Sequence, residues 1–305
     1  MASRDRSGRR PPQSHRPPTR PDWPDGPITI PTGTVELLRS ADDPSGITVL
    51  VNGVPSSHLD LDDPLRLSFE YMQQMAVLIG HAAPPGSPLA VVHLGAAGCA
   101  LARHVHASRP GSRQIAVELD TALPELVRAW FDLPRAPALR IRPGDAREQL
   151  SAMADSSADV VVRDVFAGDR TPEHVTTVEF AREVARVLRP GGLYLANCAD
   201  RPPLALARSE AATLQQVFGH LAAIAEPGLL RGRGYGNVVL AGTDDAALLA
   251  SAQVDREIRS LPAPARILHA DDVRAFVGSA RPILDPRPVA SATSVDADAP
   301  PPRLP

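Results

Sequence analysis

The chain has 305 residues, 43% of them hydrophobic, and a formal net charge of -3. That allows one sizeable packed domain with appendages and gives no electrostatic reason to expect a nucleic-acid or membrane partner. Lysine is absent, so Arg supplies all 32 of the Lys-plus-Arg positions, which excludes Schiff-base chemistry and a phosphate loop of the GKS/GKT type. The 2 Cys, Cys99 and Cys198, build neither a disulfide framework nor a zinc site. No apolar run reaches membrane-span length, and the Arg/Pro-rich start lacks a signal-peptide core, so a cytoplasmic protein is expected.

In chain order, residues 1–27 read as a disordered Arg/Pro-rich tail. Residues 28–60 read as a small β-hairpin unit, with Asn52-Gly53 as its turn signal. A helix and linker follow over 61–88, with Asp62-Asp63-Pro64 opening the helix and Tyr71, Gln74 and Leu78 on one face. From residue 89 to 245 strands alternate with helices. Strands are expected at about 90–95, 114–118, 138–142, 158–164, 192–198, 220–225 and 236–241, and helices at about 98–108, 121–132, 146–153, 174–189 and 203–218. The pattern predicts an α/β fold: a doubly wound, mostly parallel seven-stranded sheet behind a small N-terminal β unit. A helical extension is expected over 246–280 and a disordered tail over 281–305.

Ligands of such sheets bind beyond the carboxyl ends of the strands. There a glycine turn (Gly95 to Gly98) follows the first strand. Glu118 and Asp120 follow the second strand, Asp145 and Ala146 the third, and Asp164 the fourth. The turn reads Gly95-Ala96-Ala97-Gly98-Cys99-Ala100, which departs from the G-x-G-x-x-G of dinucleotide sites. A looser turn with carboxylates suits a nucleoside without a pyrophosphate, whose hydroxyls and amino group need strong acceptors. Gly95, Glu118, Asp120, Asp145 and Ala146 are therefore the candidate nucleoside contacts. His93, His104 and His106 have no acid spaced to join them, so no metal site is expected. Cys99 reads as a packing residue, and Tyr235-Gly236-Asn237 as a hairpin turn or a pocket wall.

The segment from Asp164 to Phe180, DVFAGDRTPEHVTTVEF, resembles the catalytic-Asp segment of spermidine synthases. Phe69-Glu70-Tyr71 with Met75 resembles that family's F-x-Y helix, and Asn52-Gly53-Val54 its D-G-V turn. Val117-Glu118-Leu119-Asp120 and Gly144-Asp145-Ala146 resemble its ribose- and adenine-binding pieces. The resemblance covers about Val51 to Leu240 and implies a class I methyltransferase-like Rossmann fold. It further implies S-adenosylmethionine or its decarboxylated form as co-substrate, aminopropyl transfer to a small amine acceptor, and a homodimer. By the same resemblance Asp164 is the base and Tyr71 lines its pocket, while His174 is a structural residue of the loop over the site.

Four positions depart from the family pattern. Gly98 stands where the family has an Asp for the aminopropyl amine, Ala167 where it has a second acid, Met72 where it often has His or Gln, and Ser56 where it has Gln. Two further readings stay open: a methyltransferase acting on an unknown small molecule, and a non-catalytic nucleoside-binding relative.

Overall fold

The computed structural model describes residues 23–168 and 170–286. Residues 28 to 60 form a four-stranded antiparallel sheet in chain order: β1 (Ile28–Ile30), β2 (Gly33–Arg39), β3 (Gly46–Val51) and β4 (Val54–Asp60). Asn52 and Gly53 both take positive φ, as the β3–β4 turn requires, and Asn52 Oδ1 accepts from the Thr34 amide at 2.8 Å. The unit is thus a full sheet rather than a hairpin.

Two expected boundaries move here. The tail expected over 1–27 lies outside the described residues up to residue 22. From Trp23 the chain is anchored: the Trp23 ring meets Phe131 edge-on at 6.0 Å, and its Nε1 donates to the Trp130 carbonyl. An aromatic side chain with a satisfied N–H orders an otherwise polar stretch. The helix α1 spans Glu70–His81 and does not open at Asp62. Asp60 Oδ1 instead accepts from the amides of Asp62 and Asp63, and Asp63 from that of Leu65. Those local bonds hold the segment in turns.

The main sheet is built from β5 (Ala90–Leu94), β6 (Arg113–Glu118), β7 (Leu139–Pro143), β8 (Ala158–Arg163), β9 (Leu188–Asp200), β10 (His220–Ala225), β11 (Gly236–Thr243) and β12 (Arg266–His269). Their order is β12-β10-β11-β9-β8-β5-β6-β7. The run from β9 to β7 is parallel, and β11 inserts antiparallel between β9 and β10. The expected doubly wound sheet therefore carries eight strands. The added β12 pairs with β10 from within the segment read as a helical extension. Four residues give no periodicity of their own, and their place is set by the open edge of β10.

Helices cover both faces. Tyr71, Met75 and Leu78 of α1 pack on one face together with α2 (Ala100–Ser108), α3 (Leu123–Trp130) and the N-terminal sheet. The other face carries α4 (Ala146–Ser151), α5 (Val178–Val187) and α6 (Ala205–Leu214). After the short α7 (Pro227–Leu230), the helical extension expected over 246–280 begins with two separate helices, α8 (Ala246–Leu249) and α9 (Ala252–Arg259), the second opened by an N-cap at Ser251. The last helix is α10 (Ala270–Val277).

The tail expected from 281 is held as far as residue 286. Val178 N donates to Ile283 O at 2.8 Å, Ile283 N donates to Thr213 Oγ1, and Arg147 grips Asp285 with two bonds of 2.7 and 2.5 Å. Residues 287–305 lie outside the described residues. Among the described residues no helix is long and apolar enough to cross a membrane.

Candidate active site

Consecutive strands run one way from β5 and the other way from β8, so the sheet's switch point lies between these two neighbours. The chain leaves β5 at Gly95, φ +87°, and a Cβ there would lie 2.1 Å from the Asp164 carbonyl oxygen. Only Gly permits that approach, which brings the glycine turn and the end of β8 together.

Glu118 closes the turn from below. Its Oε2 accepts from the amides of Ala96 (3.3 Å) and Ala97 (2.9 Å), and its Oε1 from Asp120 N (3.1 Å). Each carboxylate oxygen keeps acceptor capacity for a diol. Asp120 does not. It is 1% exposed, its Oδ1 accepts from the amides of Ala122 and Leu123 at the start of α3, and its Oδ2 takes the amide and hydroxyl of Thr32. Burial raises its carboxyl, but these four donors hold it below the usual range. Asp120 therefore ties the N-terminal sheet to α3 and is removed from the ligand set, because its lone pairs are already committed.

Asp145 Oδ1 caps α4 through the amides of Arg147 and Glu148, and its Oδ2 meets His174 Nε2 at 2.8 Å. Burial acts upward on its carboxyl, and His174 with the two amides brings it below the ordinary value. Ala146 is buried under this cap. His174, on a single 3-10 turn (Glu173–Val175), thus occupies the second carboxylate oxygen of Asp145.

The third acid sits deeper. Asp164 Oδ2 accepts from Tyr71 Oη at 2.9 Å, and Oδ1 accepts from Asn197 Nδ2 at 3.0 Å. Burial raises the Asp164 carboxyl above its ordinary value, against the pull of these two donors. Burial and the neighbouring Asp164 push the Tyr71 phenol well above its own, so it stays a donor. Asn197 was not among the sequence candidates. Its signal was available: a lone amide near the end of an otherwise apolar central strand, Leu193-Tyr194-Leu195-Ala196-Asn197.

Beside Asp164 lies a cavity of about 40 Å³ lined by Ser56, Ser57, Met72, His93 and the glycine turn. His93 is neutral, since burial lowers it to about 4 and its ring bonds Gln114 Oε1 at 2.8 Å. Burial pushes the Cys99 thiol up to about 12. Asp164 is therefore the carboxylate facing this space. Gly98 has no room for a substitute acid: a Cβ there would lie 2.8 Å from Leu59 Cδ1 and 2.9 Å from Ser57 Cβ. The N-terminal sheet fills the place where the resemblance expected an Asp. Arg163 points to the opposite face of the sheet, where it is fully buried against Glu210. Among the described residues no group of three or more His, Cys, Asp or Glu could hold a metal ion.

A nucleotide-type switch point with acids after β6, β7 and β8, and an antiparallel strand inserted between β9 and β10, defines the class I methyltransferase fold. A methyltransferase-domain family model matches residues 92–196. The crystal structure of a probable spermidine synthase from Corynebacterium glutamicum aligns with a TM-score of 0.80 at 40% identity, covering 86% of this chain and 96% of that one. The chain belongs to the spermidine synthase-like family. A polyamine aminopropyltransferase of Chromobacterium violaceum is 27% identical over 142 residues, 46% of this chain and 53% of that protein. The human eEF1A lysine and N-terminal methyltransferase is 28% identical over 142 residues, 43% of this chain and 20% of that protein. The chain thus spans about half the length of the aminopropyltransferase it matches, and less of the methyltransferase.

Proposed function

We propose that the protein is a transferase that binds an S-adenosylmethionine-type nucleoside and moves its aminopropyl group to a small amine. The observation that carries this reading is the Asp164 carboxylate, raised by burial and held by Tyr71 and Asn197, beside the Gly95 turn. Glu118 would take the ribose hydroxyls and Asp145 the adenine amino group, once His174 yields its oxygen. The decarboxylated nucleoside supplies the electrophilic carbon next to its sulfonium. Asp164 accepts a proton from the acceptor ammonium, and the freed nitrogen lone pair attacks that carbon. The C–S pair stays on sulfur, and a neutral thioether leaves. A positioned base of this kind contributes about 10²–10⁴-fold. With one carboxylate facing the cavity, the reacting end of the acceptor carries one positive charge. A homodimer belongs to this reading on the resemblance alone.

Methyl transfer is the second reading, favoured by Gly98. With no carboxylate on the turn, nothing there holds an aminopropyl ammonium. Calorimetric titration with S-adenosylmethionine, its decarboxylated form and methylthioadenosine separates the two. Tighter binding of the decarboxylated form is expected. Preference for the carboxylated form would favour methyl transfer, and binding of none of the three would overturn both.

A further inference from the structure

A second cavity, of about 270 Å³, lies between α6, α7, β12 and α10 and shares no residue with the one beside Asp164. Three arginines line it. Arg208 of α6 is fixed in place. Its Nε donates to the Pro203 carbonyl at 3.0 Å, its Nη1 donates to the Phe276 carbonyl, and its guanidinium carbon stands 4.8 Å from the centre of the Phe276 ring. Its Nη2 has no partner among the described residues. Arg231 ends α7, whose first turn is capped by Glu226, and the Arg231 guanidinium has no partner among the described residues. Arg266 opens β12 opposite Ala225 and meets Asp272 of α10 at 3.1 Å. Both members of that pair are mostly exposed, so the pair is weak and easily exchanged. Elsewhere the wall is apolar, with Leu268 and Phe276 buried behind it.

Arginine stays charged across the physiological pH range. Three guanidinium groups against the one carboxylate of Asp272 therefore leave a surplus of positive charge on a concave wall of low dielectric. Such a surface concentrates anions. We propose that this cavity binds a phosphate monoester through Arg231, Arg266 and the free edge of Arg208, with the ester's organic group against Leu268 and Phe276. The charge selects the class. A phosphate monoester carries about −1.5 to −2 at pH 7, matching the surplus, and offers acceptor oxygens to the guanidinium forks. A monocarboxylate would leave one guanidinium unmatched. Inorganic phosphate would leave the apolar wall uncovered. An S-adenosylmethionine-type nucleoside has no phosphate, so this ligand is a different molecule from the co-substrate of the transfer reading, and the two stand or fall separately.

The test is calorimetric titration of the full chain with phenyl phosphate, beside benzoate, inorganic phosphate and phenol. Phenyl phosphate should bind tightest, and its affinity should rise with pH through the second phosphate ionisation at about 6. Arg231→Gln and Arg266→Gln should each weaken it about tenfold, the scale of a lost charge-assisted hydrogen bond. Asp272→Asn removes the competing carboxylate and should tighten binding. Arg140→Gln, an exposed position on β7 at the opposite edge of the sheet, should leave it unchanged. All four substituted side chains are exposed, so thermal melts without ligand should match wild type. Failure of phenyl phosphate to bind, or equally tight binding of inorganic phosphate or benzoate, would overturn the assignment. So would weaker binding by Asp272→Asn, or equal losses from Arg140→Gln and Arg231→Gln.

Discussion

The amide nitrogen of Gly98 donates to Ser57 Oγ at 3.0 Å, a bond between the glycine turn and β4 of the N-terminal sheet. It explains why this turn carries no acid. The sheet lies directly against Gly98, with Val49 Cγ2 3.2 Å from where a Cβ would stand. Restoring the family's Asp should therefore fail. Gly98→Ala is expected to lower stability by about 1–3 kcal/mol through overpacking. Gly98→Asp should lower it further, because it also buries an unpaired charge. Denaturant unfolding of both variants checks this. A Gly98→Asp protein of unchanged stability would mean that the sheet yields easily.

Asp164→Asn should reduce turnover at least about 100-fold, the scale of a lost general base, with nucleoside affinity within a few-fold. Its effect on stability should have the opposite sign. The folded-state carboxyl is raised above 3.8, so between the two values the folded state holds more protons than the unfolded one. Stability then falls as pH rises through that window. Asp164→Asn removes this loss, so the variant should be at least as stable as wild type at neutral pH and show a flatter stability profile on the acid side. Thermal melts across pH, run alongside the rates, read both effects.

The strand-turn-helix-strand unit around Gly95 was legible because its period and its acids are local. The roles of those acids were not. Glu118, Asp120 and Asp145 stand at similar strand ends, yet Asp120 is committed to Thr32, a residue 88 positions away in sequence. Asn197 meets Asp164 across 33 positions, and Trp23 is ordered by Phe131. Such roles are fixed by which side chains the fold brings together, and periodicity does not record that. The departure at Gly98 was visible in the sequence, but its cause needed Leu59 and Ser57 in place.

Asp145 has two separable jobs. Asp145→Asn keeps an acceptor for the amides of Arg147 and Glu148, whereas Asp145→Ala loses the cap and should cost about 1 kcal/mol. Both should weaken nucleoside binding in calorimetry, because both lose the Oδ2 charge that now meets His174. The folded carboxyl lies below 3.8, so its contribution to stability is present above that value and lost as pH falls through the folded one. His174→Ala should change stability by no more than about 1 kcal/mol, since the pair is partly exposed. It should tighten nucleoside binding by freeing Oδ2, and weaker binding would instead place His174 among the ligand contacts.

Behind the site, Arg163 is an unusual occupant of a central strand. It is 0% exposed and paired with Glu210 of α6, while its Nε and Nη1 find no partner among the described residues. Burial disfavours its charge, but Glu210, together with the neighbouring Tyr194 and Cys198, more than offsets this and holds the guanidinium above its ordinary range. Removing one member leaves the other charge buried and alone, so Glu210→Leu should cost about 3–5 kcal/mol. Removing both should cost much less, because a buried pair seldom outperforms apolar residues of similar volume. Arg163→Met with Glu210→Leu is therefore expected to recover most of that loss in denaturant unfolding. Additive losses in the double variant would show that the pair contributes more than its own neutralisation. The double variant should still lose some turnover, because Arg163 Nη2 also donates to the carbonyl of Asn197, whose side-chain amide donates to Asp164.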